Sequence, residues 1–263
     1  MKFNGIILAA HRGDRKMYPE NTIPAFESAI ESGVDMIETD IQMSRDGIPI
    51  IMHDSNTVRT TGTDGVIRDM TLEEIKQLDA GAWFSEKFRH ISVPTVTEFI
   101  ELIKDTELLV NWELKDYPYV CGDDFAFESA DRLIELIEEN GLGERSMINS
   151  FSNRLLEHVY LKYGHKYSIH GQGIRACSQS NDRANTPGET LFDWCCLYSE
   201  KRGMSPLDFE HNFEYCLSNG ILPCVCLNDT EEIYGKALSL GCRMFTSNDI
   251  HAAQKILKTL NVR

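Results

Sequence analysis

Five ionisable residues stand at the ends of short apolar runs in this chain: His11, Glu38, Asp40, His53 and Glu113. Glu38 and Asp40 are two apart, so on a β-strand their side chains share a face. Two carboxylates on an inward face are costly unless something neutralises them. A hard divalent cation does so, and oxygen ligands suit Mg²⁺ or Ca²⁺, with Mn²⁺ a further option. Glu113 follows the apolar run Leu108–Val110 and supplies a third oxygen ligand. The competing reading is a pair of solvated acids at an exposed strand end.

His11 follows Ala9-Ala10, and His53 follows Ile50-Ile51-Met52. Two histidines at strand ends can serve as general base and general acid. A structurally satisfied histidine is the alternative for either one. Arg12 and Lys115 add two cations, and Lys115, two residues past Glu113, shares its face. Three acids against these two bases leave one negative charge. A divalent ion turns that into one positive charge, which a phosphodiester monoanion balances. Salt-bridge duty alone is the alternative role for Arg12 and Lys115.

The elements that carry these residues alternate regularly. Strands are expected at Ile6–Ala10, Asp35–Gln42, Glu107–Leu114, Ser146–Asn149, Lys166–Ile169, Phe192–Tyr198, Ile221–Leu227 and Arg243–Thr246. Helices are expected at Ile23–Ser32, Thr97–Lys104, Phe125–Asn140, Asn153–Lys162, Asp208–Asn219, Thr230–Leu240 and Asp249–Leu260. Thr22 reads as an N-cap and Gly33 as a C-terminal cap. Some eight strand–helix units in 263 residues predict an α/β fold, a closed (β/α)8 TIM barrel spanning residues 1–263 as one catalytic domain. No GxGxxG follows the first strand, which weakens a dinucleotide-binding alternative. Ile48–Met52 reads as an apolar extension before His53. Residues 55–94 break the rhythm and read as a cap-like insertion over one barrel end, with a short helix near Leu72–Leu78. Residues 171–187, which include Arg175 and Arg183, read as a long loop.

The net charge of −15, from 26 basic and 41 acidic residues, argues against nucleic acid and anionic membranes as partners. The eight cysteines form no disulfide-like framework and read as buried, reduced, small hydrophobes, with metal or redox use the lesser alternative. That usage suits a reducing cytoplasm. The N-terminal segment does not read as a secretory signal, and no apolar run reaches membrane-spanning length.

Taken together, His11-Arg12-Gly13, Pro19-Glu20-Asn21-Thr22, Glu38-Thr39-Asp40, His53-Asp54 and Glu113-Leu114-Lys115 resemble the glycerophosphodiester phosphodiesterase family in order and spacing. The resemblance implies a TIM barrel that cleaves glycerophosphodiesters to sn-glycerol 3-phosphate and an alcohol. It implies Glu38, Asp40 and Glu113 as metal ligands, His11 and His53 as the acid/base pair, and Arg12 and Lys115 as phosphate-binding groups. Glu20 and Asn21 would shape the first loop, with Glu20 either touching the metal site or buttressing it. Phe151, in Ser150-Phe151-Ser152, would pack on the glycerol. Water and the glycerol 2-hydroxyl are both open as nucleophile. Where the family often carries a run like Val-Trp-Thr-Val-Asn, this chain has Cys224-Val225-Cys226-Leu227-Asn228, which predicts a more open pocket and leaves the leaving-group specificity undefined, but not the chemistry. Two further readings compete: a lipid phosphodiesterase on the same barrel, and a barrel that binds a phosphorylated ligand without turnover.

Overall fold

A computed structural model describes residues 5–172, 184–198 and 206–262. The strands are β1 (Ile7–His11), β2 (Met36–Met43), β3 (Pro49–Ile51), β4 (Leu109–Leu114), β5 (Ser146–Ser150), β6 (Ser168–Gly171), β7 (Trp194–Tyr198), β8 (Leu222–Cys226) and β9 (Met244–Ser247). All but β3 pair in parallel in the order β1-β9-β8-β7-β6-β5-β4-β2, and a β1–β2 pairing closes the ring. This is the expected (β/α)8 barrel, and its strands and intervening helices fall within a few residues of the sequence expectation.

Strand alternation sorts the core. One face of the ring packs against the helices through residues such as Leu8, Ile37, Val110, Trp112 and Ile148. The other fills the interior with Ile7, Ala9, Met36, Leu109, Met147 and their neighbours on β7–β9. Each inward position nearer the C-terminal mouth becomes polar: Glu38 follows Met36 and Asn111 follows Leu109, so the apolar floor gives way to chemistry within one pleat.

The extension at 48–52 differs from the sequence expectation in direction. β2 runs past the ring to Met43, and β3 folds back antiparallel to it, pairing Ile51 with Ile41. His53 therefore reaches the barrel mouth from a strand returning outside the ring, not from the end of a barrel strand. Alternation alone cannot distinguish a returning hairpin strand from a barrel strand, because both read as apolar runs. Residues 55–94 fold onto this return, where Ile50, Met52, Ile67, Ile75, Leu78, Ala80 and Val93 form a separate small core. The helix Leu72–Lys76 begins with a capping box between Thr71 and Glu74.

Most of the loop read at 171–187, including Arg175 and Arg183, lies outside the described residues. The reading of all cysteines as free thiols needs one correction. Cys196 and Cys226 form a disulfide between β7 and β8, where adjacent inward-facing strands bring their Cα atoms to 6.3 Å. Cys121, Cys195, Cys216, Cys224 and Cys242 stand outside any disulfide among the described residues, all but Cys121 buried.

Candidate active site

The loop after β1 supplies Arg12 and Arg15 to the site. Arg12 has φ 61° and Gly13 φ 79°, which turn the chain sharply out of the strand. A Cβ on Gly13 would sit 2.8 Å from the Ala25 carbonyl carbon and oxygen, so only glycine fits against the following helix. The turn is pinned by Arg12 N donating to Glu38 O at 2.8 Å, and by Asn21 N donating to Arg12 O at 3.0 Å.

β2 and β4 deliver the carboxylates in register, with Asp40 beside Glu113. Glu38, Asp40 and Glu113 are all buried, and one oxygen from each lies within 4.8 Å of the others. The two-apart spacing on β2 thus does what alternation requires. Glu38 Oε1 is buried without a hydrogen-bond partner. Burial, then repulsion from Asp40 and Glu113, pushes the Glu38 carboxyl well above the usual carboxylate range. Burial opposes ionisation of Asp40 too, yet Lys115 and Arg12 hold it well below that range. An orphaned oxygen in a cluster of three acids is what an all-oxygen cation site lacks only its ion to satisfy.

Arg12 and Lys115 both meet the triad. Arg12 Nε is 3.0 Å from Asp40 Oδ2, a charge contact without hydrogen-bond alignment. Lys115 Nζ is 3.2 Å from Asp40 Oδ1, pairs with Glu113, and lies 5.5 Å from the centre of the Phe151 ring. Burial weighs against the Lys115 charge, but Glu113 and Asp40 raise its pKa well above the ordinary value. Phe151 is 36% exposed at the mouth.

Glu20 does not touch the triad. Its carboxylate accepts from Arg12 Nη1 at 2.8 Å, from Arg15 Nη2 at 2.7 Å and from Arg59 Nη2 at 2.7 Å. Burial opposes its charge, but hydrogen bonding from Arg59 and the fields of all three guanidiniums lower it to about 2. Of the two roles open to Glu20, the geometry is that of a buttress. Asn21 reaches the triad instead, its Nδ2 donating to Asp40 Oδ2 at 2.7 Å.

Each histidine has an oxygen partner on Nδ1. His11 Nδ1 is 2.6 Å from Asn248 Oδ1 and 3.2 Å from Arg15 Nη1, which can only donate, while its Nε2 lies 3.8 Å from Glu38 Oε2. Burial, reinforced by Arg12, lowers its pKa to about 3. His53 Nδ1 is 2.5 Å from Asp54 Oδ1, and Asp54 is held in turn by Arg59. Gln42 Nε2 donates to the carbonyls of Met52 and Asp54, both at 2.8 Å, which clamps the backbone on either side of His53.

All eight residues singled out by sequence thus gather at one mouth. Asn248, Arg15, Arg59, Asp54 and the Asn111–His170 pair were not among them. Only Asp54 had a local signal, its adjacency to His53. Asn111 lies in an expected strand, two residues before Glu113, and His170 one residue past another, while Arg15, Arg59 and Asn248 come from connecting segments.

Beneath the triad a cavity of about 30 Å³ is lined by Glu38, Asn111, Glu113, His170, Cys226 and Thr246 among others, room for little more than water or an ion. Cys226 does stand in its wall, at the position expected from the departure on β8.

Comparisons with known proteins agree with this geometry. The family model described as "Glycerophosphoryl diester phosphodiesterase family" matches residues 11–190. A glycerophosphodiester phosphodiesterase of Caldanaerobacter subterraneus subsp. tengcongensis is 43% identical over 170 residues, covering 61% of this chain and 66% of that protein. One from Bacillus altitudinis is 35% identical over 164 residues, covering 58% of this chain and 63% of that protein. The chain therefore spans just under two thirds of these relatives' lengths. Among solved structures, an Oleispira antarctica phosphodiesterase in complex with the product sn-glycerol-3-phosphate superposes with TM-score 0.80 at 24% identity, covering 96% of each chain. The Thermotoga maritima glycerophosphodiester phosphodiesterase superposes with TM-score 0.71 at 22% identity, covering 100% of each. These last likenesses speak for the barrel, while the matched segment from His11 onward, with every motif residue in place, makes the chain a member of the glycerophosphoryl diester phosphodiesterase family.

Proposed function

We propose that this protein is a metal-dependent glycerophosphodiester phosphodiesterase that releases sn-glycerol 3-phosphate and an alcohol. The observation that carries the reading is the buried Glu38–Asp40–Glu113 cluster, with an orphaned oxygen, flanked by two histidines. Mg²⁺ or Ca²⁺, with Mn²⁺ as a substitute, would be held by these three carboxylates and would supply Lewis-acid polarisation of a phosphoryl oxygen. Arg12 and Lys115 bind and orient the phosphodiester anion, and Glu20 holds Arg12 in place through its guanidinium. Phe151, beside Lys115, offers an apolar wall for the glycerol.

His11 Nε2 carries the lone pair that takes the proton from the attacking hydroxyl, whether of water or of the glycerol 2-position. His53, paired with Asp54, is the better placed of the two to hold a proton and pass it to the leaving oxygen. Both the metal ligands and the acid/base pair thus come from strands or loops at the C-terminal face of the ring. Among the described residues no helix is long and apolar enough to cross a membrane.

The test is a coupled assay for glycerol 3-phosphate release across a panel of glycerophosphodiesters, run with chelator and then with Mg²⁺, Ca²⁺ or Mn²⁺ restored. Chelator-sensitive release supports the reading. No release from any diester with any of these ions removes it.

A further inference from the structure

A second group of ligand atoms lies within the barrel, and none of it is used above. His170 on β6, Cys196 on β7 and Cys224 on β8 are buried, and one ligand atom from each lies within 4.8 Å of the others. Cys224 Sγ is 3.1 Å from His170 Nε2. Cys196 and Cys224 face each other in strand register, and Cys226, one pleat higher, carries the sulfur bonded to Cys196. From these positions we infer that the reduced protein binds one Zn²⁺ ion through His170 Nε2, Cys196 Sγ and Cys224 Sγ.

The chemistry of the donors sets the class of ion. Two sulfurs and an imidazole suit a borderline-soft cation, whereas the carboxylate triad suits a hard one. Two thiolates and a neutral imidazole leave Zn²⁺ with no net charge, which fits a barrel interior whose next layer is Met36, Leu109, Met147 and Met244. The fourth position of a tetrahedron falls to the Cys226 sulfur or to a water in the adjoining cavity.

Asn111 supports the assignment independently. Its amide nitrogen lies 3.1 Å from His170 Nδ1, while its Oδ1 is buried without a partner. Amide orientation is interchangeable by a flip about the side chain. In the flipped state Oδ1 accepts from His170 Nδ1–H, which turns the Nε2 lone pair toward the sulfurs and places Nδ2 where Oδ1 stood. A metal-binding histidine with its other ring N–H held by a carbonyl oxygen is the usual arrangement.

The disulfide and the metal exclude each other. Opening the Cys196–Cys226 bond takes two electrons and two protons, which a dithiol supplies as it closes to its own disulfide. Zn²⁺ then displaces the thiol protons of Cys196 and Cys224, releasing two protons to solvent. A reducing compartment would favour the metal-binding form.

The test uses full-length protein, stripped with chelator, reduced with a phosphine and titrated anaerobically with Co²⁺. The expected result is a thiolate-to-cobalt charge-transfer absorption that saturates at one equivalent and is bleached by Zn²⁺ but not by Mg²⁺. It should persist in Glu38→Gln, since carboxylates give no such band, and lose intensity, with weaker binding, in Cys224→Ser. His170→Gln should weaken binding at least about tenfold, and Asn111→Leu about 10–100-fold, as for lost outer partners of a ligand. Should Cys224→Ser fail to fold, Zn²⁺ protection of Cys196 and Cys224 from alkylation in the wild type, mapped by mass spectrometry, serves instead. No thiolate band in protein whose thiols are fully reduced, or equal alkylation with and without Zn²⁺, overturns the proposal. Because the readout is spectroscopic, failure here leaves the phosphodiesterase reading untouched, and the converse also holds.

Discussion

Asn248 Oδ1 lies 2.6 Å from His11 Nδ1, joining two residues 237 positions apart at the seam where β1 meets β9. This contact favours the proton on His11 Nδ1, against Arg15 Nη1, a donor 3.2 Å from the same nitrogen. Asn248→Ala should lower kcat about 10–100-fold, the usual cost of losing such an orienting partner, with little change in the metal titration. A variant with wild-type turnover would show that the tautomer is fixed elsewhere.

Glu38 is expected to cost the metal-free protein stability and to confer stability on the metal-bound one. Glu38→Gln should melt no lower than wild type in chelator, because it relieves repulsion inside the acidic cluster. It should also lose most of the rise in Tm on adding Mg²⁺ or Ca²⁺, worth about 2.7 kcal/mol in wild type at a hundredfold excess over Kd. Thermal melts with and without metal read both effects, and an unchanged metal-induced rise would remove Glu38 from the ligand set.

Removing either imidazole should leave the fold intact and the chemistry impaired. His11→Ala and His53→Ala are each expected to lose on the order of 10²–10⁴ in kcat at saturating metal. Near-full turnover in either would end that residue's assignment as acid or base.

Glu20 stands under three guanidiniums with its side chain 2% exposed. Glu20→Ala leaves their charges facing one another, and breaking a buried network of this kind costs roughly 3–5 kcal/mol. Arg12 would also lose its anchor, so KM for the diester should rise more than kcat falls. Denaturant titration and steady-state kinetics test the two parts separately.

Asp116 supplies a pH signature. It is buried, accepts from Met43 N at 2.8 Å and Ser129 Oγ at 2.7 Å, and burial raises its pKa from 3.8 to about 6. A raised acid binds its proton more tightly in the folded chain than in the unfolded one. Its contribution is therefore full below about pH 4 and is lost as pH climbs to about 6, a change of about 2–3 kcal/mol. Asp116→Asn should abolish this loss, so urea titrations at pH 4 and 7 should show the variant gaining on wild type by that amount. A constant difference between them across the interval would refute it.

Much of this was legible in the chain because the governing rules are local. Strand alternation placed Glu38 with Asp40 and Glu113 with Lys115, and the helix–strand rhythm gave the ring its count of eight. What stayed hidden depends on closure in three dimensions. The route of His53 depends on β3 reversing outside the ring, which an apolar run of three residues cannot declare. Arg59 comes from a turn-rich stretch without periodicity, and Asn248 sits just ahead of a helix cap. The Cys196–Cys226 link follows from β7 lying beside β8, which their 30-residue separation does not reveal.

The seam between β1 and β9 also sets a schedule. A nascent chain still short of β9 already contains both histidines, all three carboxylates and the Arg15 and Glu38 partners of His11, yet it lacks Asn248, the nearest partner of that ring. That contact forms only with the last strand of the ring, so the first histidine of the chain gains its full set of partners only once the ring has closed.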